Sequence, residues 1–307
     1  EKKISFEDIF IIGLGKSGIS SAKYLGKFKD FYGKNISISI YDKFKTIKEQ
    51  KALLKDIDID HFHTGLFKKE MCKENTLIVL SPGVDFDEDI CEGIIINDIF
   101  LFLDYLQRIS KDLSHLKIVG ITGTNGKTST CFFLEHLMNI AKLNVHKAGN
   151  IGLSPLEIID DIKKDDIVIL ELSSFQLKLY SNVTFPRKIN IGIFLNFSED
   201  HLDMHNSMEE YLNSKKNLLY NSERTILNSN LNEKIINEFK DIIFGNANDF
   251  KTKGKKSNYS VKYHLSQSRD RTHIADNKGF VIQVNKVNIP GEHNLLNMMA
   301  GVAAFRC

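Results

Sequence analysis

The chain has 307 residues and a mass of 35.0 kDa, enough for two domains or one very large one, and its 41 Lys+Arg against 39 Asp+Glu leave a net charge of +2. A balance this even supplies no global field toward nucleic acid or anionic membranes, so any phosphate-binding site has to be local. With 42% hydrophobic and 26% charged residues the composition excludes wholesale disorder, fibres and membrane bundles.

The charged N-terminus leads straight into an apolar run and lacks the ordered regions of a secretion signal. The longest apolar stretch, 94–103, is interrupted by Asn97 and Asp98 and is about half the ~20 residues of a membrane-spanning helix. Cys72, Cys91, Cys131 and Cys307 are scattered without CxxC spacing, the pattern of reduced thiols. A cytoplasmic protein that binds neither membrane nor nucleic acid is expected.

Apolar, β-branched runs at 9–13, 36–41, 76–80, 117–122, 167–171, 188–195 and 225–227 alternate with helical patterns. Such alternation predicts βα units and parallel sheets. The fold class expected is α/β: a Rossmann-like parallel-sheet domain over 1–108, then a P-loop α/β domain over 109–307. Beyond Lys251 the runs 259–265 and 279–287 read as antiparallel hairpins that extend the second sheet, and 246–257 as a solvated loop. The segment 294–307 starts an amphipathic helix, with Leu295, Met298, Met299, Val302 and Phe305 at helical spacing, but stops without a capping signal. That pattern predicts the front part of a longer protein.

Two glycine-rich turns carry chemistry. Gly13-Leu14-Gly15-Lys16-Ser17-Gly18 fits GxGxxG after an apolar strand and before a helix, with Asp42 closing the next strand. A nicotinamide cofactor, another diphosphate, or a close strand-to-helix turn all satisfy it. The second turn, Gly120-Ile121-Thr122-Gly123-Thr124-Asn125-Gly126-Lys127-Thr128, is the stronger signal. Its backbone N–H groups suit β- and γ-phosphates, Lys127 their charge, and the Thr128 hydroxyl a Mg²⁺ ion. The spacing departs from Walker A, because Gly123 precedes Gly126 by three residues. Glu171 ends an apolar strand, where sites of α/β proteins form, and is an oxygen ligand of the kind Mg²⁺ prefers.

The loop from Gly120 to Thr128 resembles the GxTGTNGKT of the Mur ligases. Further segments match that family in order: Gly149-Asn150-Ile151-Gly152, Glu171-Leu172-Ser173-Ser174-Phe175-Gln176-Leu177, Asn196 to Asp203 with Asp200-His201-Leu202-Asp203, and Gly291-Glu292-His293-Asn294 followed by Asn297. Phe175-Gln176 after the paired serines is the most discriminating piece, since sibling ligases usually carry histidine there. The resemblance implies an ATP-dependent amide-forming ligase of peptidoglycan precursor synthesis, adding D-glutamate to UDP-N-acetylmuramoyl-L-alanine through an acyl phosphate. It implies small-molecule partners and a monomer.

Residue by residue, the resemblance assigns Gly120, Thr122, Gly123, Thr124, Asn125, Gly126, Lys127 and Thr128 to the phosphates, and Asn294 and Asn297 to the adenine. Two Mg²⁺ ions are implied, one held by Thr128 and Glu171, the other by His201 and Lys215. Lys215 stands four residues after Tyr211, where the family carbamylates its lysine. Lys127, His201 and Lys215 are the implied catalytic residues. Gly15, Lys16, Ser17, Asp42, Ser81, Pro82 and Gly83 are implied to hold the UDP part of the substrate, with Asn150 near phosphate and metal and Ser173 positioning the muramoyl-alanine carboxylate. Met204 stands where the family often has arginine. The family's third domain, which supplies much of the D-glutamate pocket, is expected to be missing from this chain.

Two other classes of protein compete with this reading. A nicotinamide-dependent oxidoreductase would rest on the first glycine-rich turn and Asp42 but leaves the second unexplained. A non-catalytic P-loop nucleotide-binding module is the other. Folylpolyglutamate synthase, a nearer ligase relative, lacks a domain like 1–108.

Overall fold

The computed structural model describes residues 6–72, 75–86, 92–113, 115–200, 205–239, 241–246, 261–268, 271–276, 281–283 and 291–307. Its chain divides into two compact units. The first comprises Glu1–Ser114, Gly152–Ile162 and Asn182–Arg187, the second His115–Ile151, Lys163–Ser181 and Lys188–Cys307.

In the first unit a parallel sheet forms from β1 (Asp8–Ile12), β2 (Ser37–Tyr41), β3 (His61–His63), β4 (Thr76–Leu80) and β5 (Ile94–Ile96), in the order β3-β2-β1-β4-β5. Strand order reverses between β1 and β4, which is where an open α/β sheet leaves a crevice beyond its carboxyl ends. Both Gly13 and Ser81 follow directly on these two strands. The helices are α1 (Lys16–Phe28), α2 (Ile47–Leu53) and α3 (Asp98–Asp104). Thr46 and Glu49 form a capping box that starts α2, and the Asn97 side chain caps α3 by accepting from Phe100 N. The apolar stretch 94–103 is therefore a short strand followed by a buried helix. Segment Gly152–Ile162 is tied into this unit by polar contacts: Ser154 Oγ donates to Asp98 Oδ2 at 2.7 Å, and Ser20 Oγ donates to Glu157 Oε1 at 2.9 Å.

The second unit holds β6 (Lys117–Thr122), β7 (Val145–Gly149), β8 (Ile167–Glu171), β9 (Ile189–Phe194), β10 (Ser222–Asn228), β11 (Ile242–Asn246), β12 (Val261–Ser268), β13 (Arg271–Asp276) and β14 (Val281–Gln283). Their order is β14-β13-β12-β11-β10-β9-β6-β8-β7. Strands β7 to β12 and β6 pair in parallel, while β12, β13 and β14 pair antiparallel, so the expected hairpins do extend this sheet. Helices α4 (Lys127–Ile140), α5 (Ser174–Lys178), α6 (Met208–Tyr220), α7 (Glu233–Phe239) and α8 (Glu292–Phe305) complete it.

Alternation along the strands sorts side chains to two faces. Ile193, Ile226 and Ile242 join Leu134 and Met138 of α4 and Met299 and Val302 of α8 in one core. Their neighbours Phe194, Leu227 and Ile243 join Leu219 of α6 and Ile235 and Ile236 of α7 on the other. Each such side chain removed from water contributes about 1.5–3 kcal/mol. This two-faced burial explains why the sequence runs read as continuous apolar stretches.

Among the described residues no helix is long and apolar enough to cross a membrane. Cys131 is a free buried thiol and Cys307 a free exposed one. Cys72 is disulfide-bonded, which corrects the expectation of reduced thiols throughout; spacing along the chain does not reveal which thiols the fold brings together. The expected loop 246–257 falls, apart from Asn246, outside the described residues.

Candidate active site

Strand β6 delivers the chain into the loop 123–126, and Gly126, at φ +82°, opens α4. A side chain at Gly126 would be doubly excluded: the backbone is left-handed, and a Cβ would lie 2.5 Å from Asn297 Oδ1. The Asn297 amide, on α8, thus rests against the first turn of α4, while Asn294 stands one turn earlier on the same helix. The N-terminus of α4 carries no acidic residue in its first turn, which leaves its free N–H groups suited to an anion.

Lys127 Nζ donates to Gly123 O at 2.9 Å and Thr124 O at 2.8 Å. Burial lowers its pKa, opposed by the charges of Glu171 and Asp200. Thr128 Oγ1 donates to Glu171 Oε2 at 2.7 Å, and Asn150 Nδ2 donates to Glu171 Oε1 at 3.0 Å. The carboxylate at the end of β8, 2% exposed, is therefore held between a hydroxyl from α4 and an amide after β7. No group of three or more His, Cys, Asp and Glu side chains able to hold a metal ion occurs among the described residues. That donor set, one carboxylate and one hydroxyl, fits Mg²⁺, which keeps waters and substrate phosphate oxygens as its remaining ligands. It does not fit a metal that needs an all-protein cage.

Lys215 is 1% exposed on α6. Its Nζ donates to Gly123 O at 3.0 Å and lies 4.5 Å from the Tyr211 ring centroid. Burial first, and the Lys127 charge second, lower its pKa to about 7, against a smaller opposing pull from Asp200. His201 lies outside the described residues, as does Met204.

Other expected site residues serve the frame. Gly120 lies within β6, where a Cβ would meet Leu218 Cδ1 at 2.7 Å, and the buried Thr122 hydroxyl donates to Leu172 O. Thr124 Oγ1 accepts from Ser198 N and Tyr211 OH and donates to Ser198 O. Asn125 exchanges bonds with Asn196, whose Oδ1 accepts from Asn125 N and whose Nδ2 donates to Asn125 O. Ser173 caps α5: its Oγ accepts from Gln176 N, and Gln176 Oε1 returns to Ser173 N. Asn196 and Tyr211 are not among the expected site residues, and the pairing of i with i+4 on a helix is the signal that places Tyr211 beside Lys215.

The first glycine-rich turn is just as closely built. Gly13 has φ +87°, and a Cβ on Gly18 would fall 1.9 Å from Gly13 O. Ser81 Oγ donates to the same Gly13 O at 2.8 Å, which ties the loops after β1 and β4 together. Gly15 caps α1, with the exposed Lys16 and the half-buried Ser17 opening it, and Pro82 and Gly83 follow Ser81, Gly83 at φ +78°. Asp42 Oδ2 accepts from Leu14 N at 2.8 Å, and Oδ1 accepts from Phe44 N and Lys45 N. Burial alone would raise its pKa, but these three backbone donors and Lys45 hold it below the ordinary carboxylate value. Asp42 braces the turn, while the Phe44 ring beside it is 86% exposed.

A model of the Mur ligase middle domain matches residues 121–305, and one of the Mur ligase MurD-like N-terminal domain matches residues 7–99. A UDP-N-acetylmuramoylalanine–D-glutamate ligase of Thermoanaerobacter sp. (strain X514) is 32% identical over 301 residues, 95% of this chain and 62% of that relative. One of Prochlorococcus marinus (strain NATL2A) is 31% identical over 309 residues, 96% of this chain and again 62% of the relative. The chain thus spans about 62% of the length of these curated relatives. In fold it is similar to a MurF ligase of Thermotoga maritima in complex with ADP (TM-score 0.50, 16% identity, 88% of this chain and 60% of that one). It is also similar to a UDP-N-acetylmuramate:L-alanyl-gamma-D-glutamyl-meso-diaminopimelate ligase from Neisseria meningitides (TM-score 0.50, 16% identity, 98% and 94%). These matches give the nicotinamide and non-catalytic readings no support. With two Mur ligase domain models in sequence along it, one of them over more than half its length, the chain belongs to the Mur ligase family.

Proposed function

We propose that this chain carries the UDP-substrate and ATP sites of a ligase that adds D-glutamate to UDP-N-acetylmuramoyl-L-alanine. Residues 1–108 hold the uridine diphosphate part and 109–307 the ATP, and the family's third domain completes the amino-acid pocket. The observation that carries this reading is the Glu171 carboxylate, gripped by Thr128 and Asn150 at the mouth of the phosphate loop. The reaction joins an amine to an unactivated carboxylate: ATP converts the carboxylate to an acyl phosphate, and the amine displaces phosphate. A Mg²⁺ held by Thr128 and Glu171 would supply charge neutralisation of the phosphate oxygens.

Lys127 serves the γ-phosphate by exchanging its two loop carbonyls for phosphate oxygens. Lys215, with its pKa lowered to about 7, is largely unprotonated slightly above neutral pH. That amine form is the one that adds CO₂, releasing a proton and giving the carbamate oxygens a second metal requires. The enzyme works as a cytoplasmic monomer. Calorimetric titration with UDP-N-acetylmuramoyl-L-alanine and, separately, NADH tests the reading: micromolar binding of the UDP compound alone, about −8 kcal/mol, is expected. Binding of NADH alone would overturn it.

A further inference from the structure

Two side chains one turn apart on α6 reach two consecutive residues of the phosphate loop. Tyr211 OH donates to Thr124 Oγ1 at 3.2 Å, and Lys215 Nζ donates to Gly123 O at 3.0 Å. Tyr211 is 0% exposed, and its ring is flanked by Phe197 at 5.2 Å and His205 at 5.0 Å between centroids. His205 is itself 2% exposed and bound to α5 in two ways. Its ring stacks on Phe175 at 5.3 Å and 10°, and its Nε2 lies 2.9 Å from Ser174 Oγ. Ser174 and Phe175 open α5.

We propose that His205 is a positioning residue: clamped to α5 by Ser174 and Phe175, it fixes the Tyr211 ring and so sets the height at which Tyr211 and Lys215 brace Thr124 and Gly123. The physical reason is that two constraints act on one ring. The stack fixes its plane, and the hydrogen bond fixes its rotation within that plane, which a phenyl ring in the same space would leave free. Without the imidazole a cavity opens beside Tyr211, the hydroxyl no longer meets Thr124 squarely, and the loop carbonyls lose their alignment.

The proposal rests on the reading of this loop as the ATP site, and Mg·ADP is the probe. In His205→Ala the Mg·ADP dissociation constant should rise about tenfold, equivalent to ~1.4 kcal/mol, with circular dichroism and UDP affinity unchanged. His205→Gln, which keeps a group able to bond Ser174, should recover part of the loss. In a Tyr211→Phe background, where the Thr124 bond is already gone, His205→Ala should cost less than threefold more, because the two act as a unit. A lowered thermal midpoint with Mg·ADP affinity within twofold of the unaltered chain would overturn the proposal, as would full additivity with Tyr211→Phe. No Mg·ADP binding by the unaltered chain would overturn the ATP-site reading itself and the proposal with it.

Discussion

Lys127 and Lys215 donate to one and the same oxygen, the Gly123 carbonyl, at 2.9 and 3.0 Å. Two ammonium groups on one acceptor repel, and in a buried site that repulsion is weakly screened. Burial first, and the neighbouring Lys127 charge second, lower the pKa of Lys215, the more deeply buried of the two, to about 7.

A pH dependence of stability follows. The folded chain releases the Lys215 proton near pH 7, whereas the unfolded chain keeps it to about 10.5. Across that window the unfolded state binds more protons, so this group makes stability rise with pH; below about 7 its full destabilising effect is present. Thermal midpoints measured from about pH 6 to 10 should climb more steeply for the unaltered chain than for Lys215→Met. Parallel curves would show that the lysine keeps its proton when folded.

Lys127→Ala should abolish Mg·ADP binding by the chain while sparing its affinity for UDP, since the side chain donates its hydrogen bonds to carbonyls of the second glycine-rich loop. Glu171→Gln should act differently. Nucleotide binding without metal should persist, but the gain on adding Mg²⁺ should disappear, because an amide is a poor ligand for a hard cation. Calorimetry with and without Mg²⁺ separates the two outcomes, and equal loss of UDP and ADP binding in either variant would indicate unfolding instead.

Asp42→Ala leaves the N–H groups of Leu14, Phe44 and Lys45 without their acceptor. Each buried unsatisfied donor costs about 1–3 kcal/mol. The expected result is a lower unfolding free energy by roughly 2–4 kcal/mol from these terms taken together, together with weakened UDP binding. In Phe44→Ala, by contrast, the ring already lies in solvent, so chemical denaturation should give a stability within about 0.5 kcal/mol of the unaltered chain.

A fragment ending at Ser114 should fold poorly. It omits Gly152–Ile162 and Asn182–Arg187, which belong to the same compact unit. Without Ser154 the Asp98 carboxyl, 1% exposed, loses the hydrogen bond that its Oδ2 accepts at 2.7 Å. A fragment as stable to urea as the whole chain would refute this. Ser154→Ala in the intact chain is the milder version, expected to cost about 1–3 kcal/mol.

The sequence by itself determined the α/β class, the strands β1, β4, β6 and β8, and the loop ending in Lys127-Thr128. Each rests on local physics: two-faced burial demands continuous apolar runs, and tight phosphate-binding turns demand glycine at fixed offsets. The short edge strands β3, β5 and β7 were not legible, because three to five residues at the margin of a sheet carry little periodic signal, and neither was β11, which lies inside its sheet. Ser173, which the resemblance implies positions the muramoyl-alanine carboxylate, also caps α5, a contact no motif announces.

Only the tertiary structure decided which polar groups are already engaged. The resemblance implies that Asp42 holds the UDP part of the substrate, and the fold adds that its oxygens accept from backbone N–H groups of the turn it braces. His205 carries no motif signal, and its position between α5 and Tyr211 depends on helices whose sequence separation says nothing of their packing. The gathering of Thr128, Asn150 and Glu171 follows from strand order, since β6 and β7 both flank β8. Strand order is set by long-range burial rather than by neighbours along the chain, and for that reason a single sequence names the donors without showing which of them meet.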